Sequence, residues 1–224
     1  MKKLLLSIAF LCLFISPINA EEDTKVLDVQ QEVEEENIFF PEIVVDSSVS
    51  IIHGGISMGT CSGVLIDENE DYSFVLSAKH CTHPTDLEVR VENNKVNLIV
   101  ASVDDDLVYL IVRGRIPNKT PVKFAKYEAY IGEKIYHVGY PNWLEYRTEG
   151  VVAKKLNDYH FAIMSVMSGC SGGGIFNKDG ELVGILWGSM RLGPGGLFSK
   201  GVKASIYEPL SDVKKFLKKV GHEI

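Results

Sequence analysis

From about residue 39 the chain is a succession of short runs of β-type residues, each closed by turn chemistry. Residues 49–53, 62–66, 73–77, 87–91 and 96–101 form five such runs, and 107–112, 134–138, 147–152, 160–164 and 182–187 form five more. The breaks between them hold Gly54-Gly55, the acidic stretch 67–71, Pro117-Asn118, Pro141-Asn142, Asn157-Asp158 and Lys178-Asp179-Gly180. Many short strands at this spacing predict a β-sandwich or barrel and argue against alternating strands and helices. A helical period enters only near the end. There Leu210, Val213, Phe216, Leu217 and Val220 form an apolar stripe, and Lys214, Lys215, Lys218 and Lys219 occupy the opposite face. This predicts one amphipathic helix capped near Ser211 or Asp212, with its lysines in solvent.

The first residues belong to a different kind of segment. Lys2 and Lys3 precede an almost wholly apolar run to Ile15, and Ser16-Pro17 then breaks it before Ile18-Asn19-Ala20. This is the pattern of a secretory leader, 1–20, cut after Ala20. The run is shorter than the roughly 20 residues a spanning helix needs, and no later segment is long and apolar enough. An exported product, periplasmic or extracellular, with no membrane span after cleavage is therefore expected. Residues 21–37 carry eight acidic residues against Lys25 alone, which predicts an acidic, loosely attached tail over 21–38. The net charge of −7 becomes −9 without Lys2 and Lys3. Outside the tail the charges nearly balance, so no nucleic-acid partner is implied. No metal-ligand cluster or phosphate loop is evident, so neither a metal nor another cofactor is expected. Cys61, Cys81 and Cys170 remain in the secreted form, an odd number in a compartment that permits disulfides.

Three local patterns carry chemistry. In Gly169-Cys170-Ser171-Gly172-Gly173, a glycine two before the serine lets both N–H groups turn toward one spot, and the later glycines permit close backbone approach. A serine attacks only when a base takes its proton. The candidate base is His80, where the apolar run 75–78 ends at Ala78-Lys79-His80-Cys81. His53, His83, His137, His160 and His222 are read as structural or surface histidines. The third is Asp106, last of Asp104-Asp105-Asp106 and directly before an apolar strand. That position suits an acid buried against a histidine, fixing its tautomer. His80, Asp106 and Ser171 are separated by 26 and 65 residues.

In this order and in an all-β chain, these blocks resemble the chymotrypsin/trypsin-like serine proteases. The likeness runs from about residue 49 to 220 and includes Gly139-Tyr140-Pro141, Trp187-Gly188 and Gly201-Val202-Lys203-Ala204. It is similar to the compact bacterial HtrA and glutamyl-endopeptidase-like branches, without a PDZ domain. The resemblance implies two antiparallel β-barrels in one protease domain, 39–224, and a serine endopeptidase acting on protein or peptide substrates. It implies a Cys61–Cys81 disulfide that fixes the turn holding His80. It further implies an oxyanion hole from the N–H groups of Gly169 and Ser171, and a substrate site formed by Ser165, Trp187, Gly188 and Gly201. Ser165 brings no charge, which implies a neutral or apolar preference, whereas Lys200 would favour an acidic side chain. Lys79, Cys170, Gly174 and Leu186 depart from the family pattern. Cys170 replaces an aspartate that pairs with a freed N-terminus in zymogen-activated relatives, so no such activation is expected. As a nucleophile Cys170 lacks the flanking glycines that Ser171 has. The alternative reading is a protease-type scaffold that binds without cleaving.

Overall fold

The computed structural model describes residues 40–54, 58–82, 88–102, 104–156, 159–192 and 202–224. The leader, the acidic tail, His83, Lys200 and Gly201 lie outside these residues. The first barrel contains β1 (Ser48–Gly54), β2 (Met58–Glu68), β3 (Tyr72–Ala78), β4 (Glu88–Val91), β5 (Asn94–Ala101) and β6 (Leu107–Arg113). Their order around it is β1-β2-β3-β6-β5-β4, closed by antiparallel pairing of β4 with β1. The second barrel contains β7 (Lys134–Gly139), β8 (Tyr146–Lys155), β9 (His160–Met164), β10 (Gly174–Phe176), β11 (Leu182–Leu192) and β12 (Val202–Pro209). Its order is β10-β11-β12-β9-β8-β7, and β7 closes on β10. Two antiparallel barrels and a C-terminal helix are the architecture expected from the sequence.

The continuous apolar runs have a packing cause. Successive side chains of a strand point to opposite faces. Val108, Leu110 and Val112 of β6 enter the interior of the first barrel, while Leu107 and Tyr109 face a second core between the barrels. Leu65 of β2 likewise points inward, and Val64 and Ile66 point to the shared core. Tyr136, Val138, Phe176 and Ile185 meet them from the second barrel. Both faces of these strands are thus dry, so hydrophobic alternation disappears.

Three elements differ from the sequence expectation. The helix α1 (Glu42–Ser47) precedes β1, too short for a periodic signal, with Val44 buried in the shared core. Strands β10 and β12 were not anticipated. The first is three residues long, and the second mixes Lys203, Ser205 and Glu208 among its apolar residues. The terminal helix α2 (Leu210–Lys219) starts after Pro209 without a side-chain cap of its own. Glu128, from a loop of the second barrel, accepts the Ser211 N–H at 2.5 Å instead. Val213, Phe216 and Leu217 of α2 cover the shared core. Its lysine face is not uniformly solvated: Lys219 pairs with Asp104 at 2.5 Å, and Lys214 donates to the Ala125 carbonyl at 3.1 Å.

Candidate active site

After β3 the chain makes one short turn, Lys79–Cys81, that carries His80. The Cys61–Cys81 disulfide ties this turn to β2. His80 Nδ1 lies 2.5 Å from Asp106 Oδ2, and its backbone N–H donates to Asp106 Oδ1 at 3.0 Å. The Lys79 N–H reaches the Asp106 carbonyl at 3.1 Å. A carboxylate only accepts, so Nδ1 is the donor, and Nε2 of the neutral ring is left as a base. The Asp106 side chain is 14% exposed and that of His80 44%, so a sheltered acid orients an accessible imidazole. Lys79 does not crowd this pair, because its ammonium donates to the Ser102 carbonyl at 3.1 Å.

Ser171 sits on a turn of the second barrel that the first barrel holds in place. Ser62 of β2 donates its N–H to the Ser171 carbonyl at 2.8 Å and its hydroxyl to the Gly169 carbonyl at 2.7 Å. The same hydroxyl accepts the Tyr140 N–H at 2.8 Å. From its own barrel, Leu186 accepts the Gly172 N–H at 2.7 Å and donates to the Gly173 carbonyl at 2.9 Å. With both carbonyls drawn inward, the Gly169 and Ser171 N–H groups have no protein acceptor among the described residues. Gly169 has φ +97°, and a Cβ there would lie 2.6 Å from Pro141 Cα. At Gly172, φ +84°, a Cβ would lie 2.0 Å from Ser77 Oγ of the other barrel. Only glycine permits this approach.

Ser171, Gly169 and His80 line one cavity of about 450 Å³, together with His53, Thr60, Asn142, Trp143 and Ser168. No hydrogen bond joins Ser171 Oγ to His80. Asn142 and Trp143 have φ 51° and 63°, left-handed values rare for a bulky residue. The turn is held by the Asn142 N–H on Thr60 Oγ1 at 3.2 Å and the Leu144 N–H on the Pro141 carbonyl at 3.1 Å. A second hollow, lined by His80, Trp187, Gly188 and Ser189, meets the first at the imidazole. Trp187 leans on Tyr159 with ring centroids 5.7 Å apart. Ser165 is exposed and borders a separate hollow with Glu149, Ile163 and Met164.

Four further residues shape the site. Ser62 is the first, and His53 and Trp143 supply part of the cavity wall. His137, fully buried, donates from Nδ1 to the Gly174 carbonyl at 2.9 Å, and burial pushes its pKa down to about 4. Its ring explains two glycines. A Cβ at Gly173 would lie 2.6 Å from His137 Cε1, and one at Gly139 would lie 2.9 Å from both His137 Nε2 and Cys170 Sγ. Cys170 is buried, its side chain part of the second barrel's core.

Residues 61–185, more than half of the chain, match the trypsin-like peptidase domain family. The Rv3671c protease of M. tuberculosis in its active form is similar in structure, with TM-score 0.65 and 18% identity over 81% of this chain and 85% of that one. Its inactive form, a serine-to-alanine mutant, gives TM-score 0.63 and 16% identity over 82% and 93%. A serine endoprotease from Yersinia pestis gives TM-score 0.63 and 20% identity over 80% of this chain and 65% of that one. At such identities the likeness is one of fold. No curated protein matches the sequence.

Proposed function

Because the chain belongs to the trypsin-like peptidase family, we propose that it is an exported serine endopeptidase working through His80, Asp106 and Ser171. The observation that carries this reading is the Asp106–His80 pair, 2.5 Å apart, at the edge of the cavity that Ser171 also lines. An extended peptide lies across the two hollows with its scissile carbonyl at Ser171 and its acyl side along Trp187-Gly188. Ser171 Oγ attacks that carbonyl while His80 Nε2 takes the hydroxyl proton. Asp106 stabilises the imidazolium that forms. The oxyanion is received by the two uncommitted N–H groups of Gly169 and Ser171, each such donor contributing about 10²–10³ in rate. The C–N bond then breaks as His80 returns the proton to the leaving amine, and water hydrolyses the acyl-enzyme by the reverse proton path.

Such serine–histidine bonds are often long before substrate binds, in keeping with the open Ser171–His80 geometry. The Cys61–Cys81 disulfide supports export, together with the leader-like residues 1–20. In this reading 21–38 is an acidic tail and 39–224 the peptidase domain, which needs no freed N-terminus. Ser165 borders a separate hollow, so the open wall at Gly188 is what favours neutral or apolar substrate side chains over Lys or Arg.

Fluorophosphonate labelling of the 21–224 form tests the proposal, beside Ser171→Ala and Cys170→Ala. Labelling is expected in wild type and Cys170→Ala and absent in Ser171→Ala. Loss in Cys170→Ala alone would move the nucleophile. Well-folded protein that takes no label would select the second reading, a scaffold that binds peptides without cleaving them. The unjoined Ser171 and His80 side chains are what favour that alternative.

A further inference from the structure

We propose that Glu208 is a positioning residue for the active site, holding Asp106 in place through its backbone; this rests on the triad reading above. Glu208 lies near the end of β12 in the second barrel and is 1% exposed. Its Oε1 accepts the Asp106 N–H at 3.2 Å across the junction of the barrels. Asp106 is therefore gripped from two sides. Its carboxylate and carbonyl are held by His80 and Lys79 of the first barrel, and its N–H by a carboxyl of the second. The His80–Asp106 pair turns with the backbone of Asp106, so the acceptor at Glu208 bears directly on the direction of the imidazole.

The groups around this carboxyl make the contact sensitive to pH. Asp105 and Asp106 face it from the loop before β6, and Asp212 faces it from α2. Carboxyl oxygens of Asp105, Glu208 and Asp212 all lie within 4.8 Å of one another. Asp105 is in turn joined to Ser102 Oγ at 3.2 Å, and the Ser102 carbonyl receives the Lys79 ammonium. Beside Glu208 in β11 stands apolar Ile185. Burial first, and then the negative charge of Asp105, Asp212 and Asp106, push the Glu208 pKa up to about 7, against the opposing pull of the Asp106 N–H. The carboxyl is thus protonated in mildly acidic solution and ionised above neutrality. A hydrogen bond to a carboxylate is roughly twice as strong as one to a neutral acceptor. The grip on Asp106 accordingly tightens as pH rises through 7.

Two measurements on the 21–224 form, with Glu208→Gln and Glu208→Ala, test this. The first needs no catalysis: the Asp106 amide proton shift is followed by NMR from pH 5.5 to 8.5. It is expected to titrate with a midpoint near 7 in wild type and to lose that titration in Glu208→Gln, which keeps a neutral acceptor. The second is kcat/KM for peptide cleavage over the same range. The wild-type to Glu208→Gln ratio is expected to rise from near 1 at pH 6 to roughly 5-fold at pH 8, in kcat rather than KM. Glu208→Ala is expected to be slower than Glu208→Gln throughout. An Asp106 amide that does not titrate near 7, or a ratio flat with pH in an active enzyme, overturns the proposal. If the wild type cleaves nothing, the serine-peptidase reading fails, and the amide titration alone decides whether Glu208 grips Asp106.

Discussion

His137 shows what one buried imidazole imposes on its surroundings. It must stay neutral, with Nδ1–H on the Gly174 carbonyl, and its ring forces glycine at Gly139 and Gly173. Its titration also acts on folding. The ring protonates near 6.5 when exposed, and burial lowers this to about 4 in the folded protein. Between those values the unfolded chain binds the extra proton, so stability falls as pH drops from about 6.5 toward 4. The loss amounts to about 2–3 kcal/mol by pH 4.5. His137→Asn is expected to be less stable than wild type at pH 7.5, from imperfect packing, yet to lack this part of the acid loss. Urea unfolding at both pH values reads the difference. An unchanged gap between the two proteins would show that the ring is not held neutral.

At the scale of elements, α2 depends on a cap from elsewhere. Glu128→Ala removes the acceptor of the Ser211 N–H, and a lost cap costs about 1 kcal/mol. Hydrogen exchange in the first turn of α2 is expected to quicken by about 5-fold, with little change in the strands. Equal protection in both proteins would mean that the cap contributes nothing. The same distinction between near and distant partners governs what could be read from the sequence. A strand such as β6 was legible because its first six positions, 107–112, are all apolar and turn residues mark the ends. The three residues of β10 were too few for a pattern, and the polar Lys203, Ser205 and Glu208 obscured β12. At the site, His80, Asp106 and Ser171 stood out because each abuts a strand end or glycine turn, and the family resemblance tied them together. Ser62 and Glu208 did not, since their partners lie 107 and 102 residues away and neither residue sits in a telling local motif. His137 was read as a structural or surface histidine and is a buried structural one, but its demands were not legible, since Gly173 was already explained by the serine turn and Gly139 ends a strand.

In the whole molecule, the two barrels share more than an apolar core. Ser62 of the first barrel shapes the Ser171 turn of the second, and Glu208 of the second holds the Asp106 loop of the first. Ser62→Ala keeps the backbone bond to Ser171 but leaves the Gly169 carbonyl and the Tyr140 N–H without their shared hydroxyl. Stability is expected to fall by about 1–3 kcal/mol, and fluorophosphonate labelling to slow by about 10-fold or more as the Gly169 N–H loses its aim. A labelling rate equal to wild type would show that the turn holds its shape unaided. This reciprocal bracing also orders events when the chain is made. The ribosome delivers Ser62, His80 and Asp106 first, and the turn that bears Ser171 gains its two bonds to Leu186 only once β11 has followed. A chain still lacking β11 has the His80–Asp106 turn in hand but a Ser171 turn without its bonds to Leu186.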